Sequence, residues 1–349
     1  MPERKVKWGV IGAGGIADRR AIPGMLLAGN AELIALMEVN EELTGRLQAK
    51  YGVEYAYTDH RALLADPNIE AVYIASPVTY HKAQIIAAAN AGKHVLCEKP
   101  AALTVRDAEE ALGVCEKAKV LSAAGFMMRY HSYHRKIKEM IAAGDIGQLV
   151  SARAQLTCWY PEIDGAWRQY KEQSGGGALM DMGIHCIDLI EFISGGKTVK
   201  TAAFNDTKTF KYDVDDSSLV ILQLDNKLTA SVESNFNIPD DAAFCRLEFY
   251  GTKGSILAEG TISQVEGGTV KAALSGGVKG YDAVQQRGEN NQIEIKAELG
   301  NMYTKEIESF SRSIIYGTAP EVPLSDAVHV QKIVEAAYES SEKGIFKQI

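Results

Sequence analysis

The strongest constraint in this chain is an apolar run, VKWGVI (6–11), that stops on glycine at GAGGIA (12–17) and passes straight into a helical pattern. Runs of this length, bounded by glycine, read as buried strands. Further runs follow at ELIALM (32–37), AVYIA (71–75), KHVLC (93–97) and VLSAAG (120–125). Helical patterns lie between them at 15–28, 41–51, 60–65, 79–91 and 104–118. Strands that alternate with helices build βαβ units, and βαβ units build a doubly wound parallel sheet.

The pattern changes near residue 148. In QLVSARAQLTCW, Val150, Ala152, Ala154, Leu156 and Cys158 fall on one face, and Ser151, Arg153, Gln155 and Thr157 on the other. KLTASVESNF (227–236) repeats that period, and 218–224 meets it at Asp225-Asn226, a hairpin turn. A second hairpin is expected to turn at GTKG (251–254), and residues 265–292 read as a long loop or irregular strands. Helices are expected at about 299–316 and 325–342. Half-buried alternating strands indicate a largely antiparallel sheet. The fold class is therefore α/β: an N-terminal doubly wound parallel sheet (1–125), then an α+β domain (126–349) with a large open sheet, mostly antiparallel. A C-terminal helix could pack back on the first domain.

At 349 residues the chain can bury two sizeable cores. A net charge of −8, with acids and bases interspersed, argues against nucleic acid or an anionic membrane as partner. No apolar run approaches the roughly 20 residues of a membrane span. The five cysteines are scattered and form no CxxC, which fits a reducing compartment. The opening residues carry no apolar leader segment, so a cytoplasmic protein is expected.

GAGGIA has the form G-x-G-x-x-A and sits between a strand and a helix, the context of the dinucleotide-binding Rossmann turn. Gly12 permits the turn, Gly14 lets backbone approach a pyrophosphate, and Ala17 allows close helix packing. A βα turn without a ligand is the alternative. Glu38 ends the next strand, about 20 residues on, where an acid meets the adenosine ribose and repels a 2′-phosphate. NAD is thus expected over NADP, against the alternative of a merely solvated carboxylate. With Gly15 and Ile16 of the turn, the strand-end residues Ser76, Pro77, His81, Glu98 and Lys99 complete the expected cofactor contacts.

GGGALMDMGIHCIDL (175–189) is the second glycine-rich segment. On a helix, Asp181 and His185 lie one turn apart on one face. Two readings are open: a hydrated surface pair on a capped helix, or a pair that faces a substrate. His131 and His134 have no carboxylate or thiolate to complete a convincing metal set, and no metal is expected.

Together, GVIGAGGIA (9–17), AGKHVLCEKP (91–100) and GGGALMDMGIHCIDL (175–189) resemble the Gfo/Idh/MocA oxidoreductases, which include inositol and glucose dehydrogenases and glucose–fructose oxidoreductase. EFYGTKGSI (248–256) and EAAYESSEKG (335–344) are similar to that family's later landmarks, so the resemblance spans nearly the whole chain. It implies catalytic roles for Lys99, Asp181 and His185. It also implies a substrate loop with Trp167 and Arg168, to which Tyr160 and Tyr130 are added as expected substrate contacts. The chain departs from the family at Val78, where many members carry Asn.

The expected activity is hydride transfer between NAD(P) and a hydroxyl-bearing carbon of a sugar, cyclitol or sugar derivative. The rival readings are an NAD-dependent glycosidase that oxidises its sugar transiently, and a non-catalytic dinucleotide sensor. A sensor has no need of Lys99, Asp181 and His185 together. An open sheet with one uncovered face is expected to pair with another copy, as a homodimer or homotetramer.

Overall fold

The computed structural model describes residues 4–275, 280, 281, 283 and 292–349. The chain forms two compact units that interleave in sequence. One comprises Met1–Met127, Trp167–Gly175 and Asn301–Lys332, and the other Met128–Ala166, Gly176–Gly300 and Ile333–Ile349.

In the first unit, β1 (Val6–Ile11), β2 (Ala31–Met37), β3 (Tyr55–Tyr57), β4 (Ala71–Ile74), β5 (His94–Glu98) and β6 (Ser122–Gly125) pair in the order β3-β2-β1-β4-β5-β6, parallel throughout. Strand order reverses beside β1, so the β1/β4 boundary is the switch point at which such sheets bind ligands. Helix Met302–Tyr316 belongs to this unit for packing reasons. Trp8 is fully buried, donates from Nε1 to Ser311 Oγ at 3.1 Å, and has its ring 5.9 Å from Phe310. A Cβ on Gly24 would lie 2.7 Å from Tyr303 Cβ, so the helix comes too close for any larger residue there.

The helical pattern at 15–28 resolves into a π-turn, Ala17–Ala21, followed by helix Ile22–Leu27. Pro23 has no N–H to return to Arg19, which breaks the i→i+4 ladder where the π-turn hands over.

The second unit is built on β7 (Leu149–Thr157), β8 (Thr198–Asp206), β9 (Ser217–Leu224), β10 (Thr229–Asn235), β11 (Arg246–Gly251), β12 (Gly254–Glu259), β13 (Thr269–Leu274), β14 (Gln292–Ile295) and β15 (Lys347–Gln348). Their order is β14-β13-β12-β11-β7-β10-β9-β8-β15, antiparallel except where β7 runs parallel to β10. Both expected hairpins are present: β9 pairs with β10 and β11 with β12. Residues 265–292, expected as a long loop or irregular strands, are more regular where they are described. Thr269–Leu274 is a regular strand whose Val270 and Ala272 are buried, and Gln292 begins β14. The rest of that stretch, 276–279, 282 and 284–291, lies outside the described residues. Among the described residues, no helix is long and apolar enough to cross a membrane.

Candidate active site

In the first unit the glycine turn leaves β1 at the switch point. Gly12 has φ +77°, and a Cβ there would lie 2.5 Å from Ser76 N, so the loops after β1 and β4 touch backbone to backbone. Gly12 N and Ala13 N both donate to Met37 O at 3.0 Å. Gly14 N donates to Glu38 Oε2 at 3.1 Å, and Val39 N donates to Glu38 Oε1 at 2.9 Å. Glu38 is therefore a fixed carboxylate at the end of β2, not a swinging surface acid. Gly15 is exposed with φ +59°, and a Cβ there would meet nothing within 4 Å. With Ile16, it opens the helical segment whose first N–H groups have no intrahelical acceptor. These features fit a dinucleotide: a tight turn, an open approach for pyrophosphate and an acid placed for ribose hydroxyls.

His81 ties together the loops that follow β4 and β5. Its Nε2 lies 2.8 Å from Ser76 O and its Nδ1 2.8 Å from Pro100 O. Burial pushes its pKa down, with Lys99 and Arg168 adding to that and the two carbonyls opposing it. Pro77 caps helix Val78–Asn90 without a side-chain bond, and Val78 is buried. Glu98 is buried and accepts from Tyr73 Oη at 2.7 Å. Burial raises its pKa, while Tyr73, Lys99 and Arg168 pull the other way. Lys99, half-buried, follows directly on that buried acid.

Trp167 and Arg168 lie on a short turn of this same unit, the guanidinium 4.3 Å from the Trp167 ring centre. The Arg168 charge adds to the downward push on His81 and opposes the rise at Glu98.

The second unit carries Asp181 and His185. Residues Leu179–Gly183 form a π-turn that runs directly into helix Ile184–Ser194. Asp181 is half-buried within the π-turn, and His185 is buried in the first turn of the helix. Single-turn π segments inside helices are frequent at functional sites. The helix's other acids are consumed by structure. Asp188 accepts from Arg129 Nε at 3.0 Å to both oxygens and from Nη2 at 2.5 Å, and Glu191 accepts from Thr198 N at 2.7 Å and Lys197 Nζ at 3.0 Å.

Tyr160 packs with Cys158 and Tyr212 on a cluster of Ala178, Met182 and Phe236, its ring 5.1 Å from Phe236. Burial and the nearby Asp181 charge push the Cys158 thiol up to about 12, so it is inert at neutral pH. Tyr130 is buried, with the Arg135 guanidinium 4.9 Å from its ring centre. His131 and His134 are also buried. His131 Nδ1 accepts from Tyr133 N, and His134 lies 2.8 Å from Met128 O and 3.1 Å from Thr261 Oγ1. Burial and the neighbouring His131 drive His134 down to about 3, which keeps it neutral.

Sequence reasoning missed Asp215, Asp216 and Tyr338. Asp215 accepts from Gly177 N, Leu179 N and Tyr338 Oη, and Asp216 from the amides of Lys208, Thr209 and Phe210. The visible signal for the two acids is the doublet just before β9.

Residues 6–126 match the oxidoreductase family described as an NAD-binding Rossmann fold, and residues 134–257 match the GFO/IDH/MocA C-terminal domain. The chain is 30% identical over 260 residues to Oxidoreductase P35 of Formosa agariphila, covering 73% of this chain and 79% of that one. It is 28% identical over 338 residues to D-xylose 1-dehydrogenase (NADP(+)) 2 of Haloferax volcanii, covering 97% and 98%. Its fold is similar to that of the aldose-aldose oxidoreductase from Caulobacter crescentus, with a TM-score of 0.89 at 24% identity, covering 99% and 100% of the two chains.

Proposed function

The chain belongs to the Gfo/Idh/MocA family of NAD-binding oxidoreductases, and we propose that it oxidises a hydroxyl-bearing carbon of a sugar, cyclitol or sugar derivative. The observation that carries this reading is the glycine turn at the β1/β4 switch point with Glu38 fixed against it. Gly12, Gly14, Gly15 and Ile16 hold the dinucleotide, with Ser76, Pro77, His81 and Glu98 shaping its nicotinamide end. When bound, the dinucleotide supplies the hydride acceptor. NAD is preferred, because a carboxylate held at the end of β2 pairs with ribose hydroxyls and repels a 2′-phosphate.

His185 accepts the hydroxyl proton, a role suited to an imidazole near neutral pH. Asp181 orients that imidazole or binds a neighbouring hydroxyl. Lys99 hydrogen-bonds the reacting oxygen and favours developing negative charge. Trp167, Arg168, Tyr160 and Tyr130 contribute to substrate binding, since an aromatic face beside polar groups suits a sugar ring.

The protein acts in the cytoplasm, a reading supported by five free cysteines. It assembles as a homodimer or homotetramer through the sheet of the second unit. Phe204 is 78% exposed there and pairs across the strands with Leu219, also exposed. A monomer in sedimentation at micromolar concentration would contradict the assembly.

The test is nicotinamide absorbance with NAD or NADP and a panel of inositols, aldoses, sugar acids and amino sugars, with His185→Ala beside the wild type. Reduced cofactor should accumulate with one compound class and vanish in the variant. Equal turnover by variant and wild type would remove His185 from the chemistry.

A further inference from the structure

The segment that carries Asp181 enters its π-turn without a cap of its own. Ala178 stands at the N-cap position and makes no side-chain capping bond. The amides at the entry to the turn, including that of its first residue Leu179, are instead satisfied from the loop that leads into β9. Gly177 N donates to Asp215 Oδ1 at 2.8 Å, Leu179 N donates to Asp215 Oδ2 at 2.8 Å, and Ala178 N donates to the Asp215 carbonyl at 2.8 Å. Three consecutive amides thus converge on one residue. Behind it, Tyr338 Oη donates to Asp215 Oδ1 at 2.7 Å.

The glycines are the complement of this arrangement. A Cβ on Gly177 would lie 1.9 Å from Asp215 O, and a Cβ on Gly176 would lie 2.2 Å from Tyr338 Oη. Neither position accepts a side chain while Asp215 and Tyr338 stay in place. From the pinned segment the connection to the catalytic pair is direct: Asp181 N donates to Gly177 O at 2.9 Å, and the same π-turn continues into the helix that bears His185.

We infer that Asp215, held by Tyr338, is a positioning residue that sets Asp181 and His185 by tying down the entry of their π-turn from the loop before β9. The inference rests on the catalytic reading of Asp181 and His185. Only a carboxylate fits the role. Both oxygens face N–H or O–H donors, so an amide in its place turns an NH2 toward a donor and leaves one of the bonds broken. The Asp215 side chain is buried, so the group left without its partner carries a desolvation cost. The displaced groups are the backbone of the catalytic segment, where misplacement by about 1 Å costs on the order of 100-fold in rate.

The test compares Asp215→Asn, Tyr338→Phe, His185→Ala and wild type in the full-length enzyme, using the substrate class found in the absorbance panel. Asp215→Asn should lower kcat by about 100-fold, with the KM for the dinucleotide unchanged and a cooperative thermal transition retained. Tyr338→Phe, which removes one donor and keeps the ring, should lower kcat by a few-fold in the same pattern. Wild-type kcat in a folded Asp215→Asn variant would overturn the inference. If that variant does not fold, wild-type kcat in Tyr338→Phe would overturn it. Full activity of His185→Ala would instead defeat the catalytic reading, an outcome distinct from either.

Discussion

Two glycine-rich segments, 12–17 and 176–183, look alike in sequence and serve opposite ends. Each leads a chain into a π-turn, Ala17–Ala21 in one unit and Leu179–Gly183 in the other. At the first, Gly15 is exposed and faces open space, which suits an incoming anion. At the second, Gly176 and Gly177 are buried, and the amides of residues 177–179 are taken by Asp215. The protein supplies its own anion there, so the second segment holds side chains in place rather than binding phosphate. A glycine cluster before a helix therefore says that something approaches the backbone closely. Whether that is a ligand or the protein itself depends on the rest of the fold.

The largest break in this comparison should come from Gly177→Ala. Its Cβ would meet the Asp215 backbone, which cannot swing aside, so a loss above about 3 kcal/mol is expected in chemical denaturation. Gly12→Ala meets the Ser76 backbone and also has positive φ, and it should abolish dinucleotide binding by fluorescence titration. A Gly177→Ala protein as stable as wild type would show that Asp215 does not hold this segment.

Glu38→Arg should shift the NADP-to-NAD ratio of kcat/KM upward by at least about tenfold, or 1.4 kcal/mol. An unchanged ratio would mean that Glu38 does not read the ribose. A smaller effect is expected at Gly15→Ala, where space is open but φ is positive. About 1–2 kcal/mol of stability should be lost, with cofactor affinity lowered far less than by Gly12→Ala.

The smallest effect separates the two neighbouring acids. Burial pushes Asp215 up, and its donors offset this only in part. Burial also pushes Asp216 up, but the amides of Lys208, Phe210 and Thr209 more than offset it, so its pKa is lowered. The unfolded reference is about 3.9. The stability that Asp216 contributes is present above that value and is lost as pH falls through the lower folded one. Asp215 behaves in reverse: as pH falls from its raised folded value toward about 3.9, the folded chain takes up the extra proton and stability from this group increases. Carboxyl-carbon NMR, assigned with Asp215→Asn and Asp216→Asn, should find Asp215 titrating at the higher pH. The opposite order would mean that donors outweigh burial at Asp215 too.

Much of the first unit was legible because its signals are local. Short apolar runs mark β1, β2, β4 and β5, and GAGGIA marks the turn between β1 and its helix. β3 escaped notice because Tyr55–Tyr57 is too short to show a period. The hairpins of the second sheet were legible from alternation and turn residues, whereas the parallel pairing of β7 with β10 was not. Two strands with the same period carry no mark of their relative direction.

The sequence by itself determined most strands and helices of the first unit, the glycine turn with Glu38 at the following strand's end, and the one-turn spacing of Asp181 and His185. These follow from backbone dihedrals and side-chain periodicity within a few residues. Tertiary structure alone decided that helix Met302–Tyr316 buries Trp8, that the Arg168 charge bears on Glu98 and His81, and that Asp215 and Tyr338 close the second glycine segment. Each of those partners is far away in the chain. Its choice depends on which buried polar groups find donors once the strands have paired, a condition no local pattern encodes.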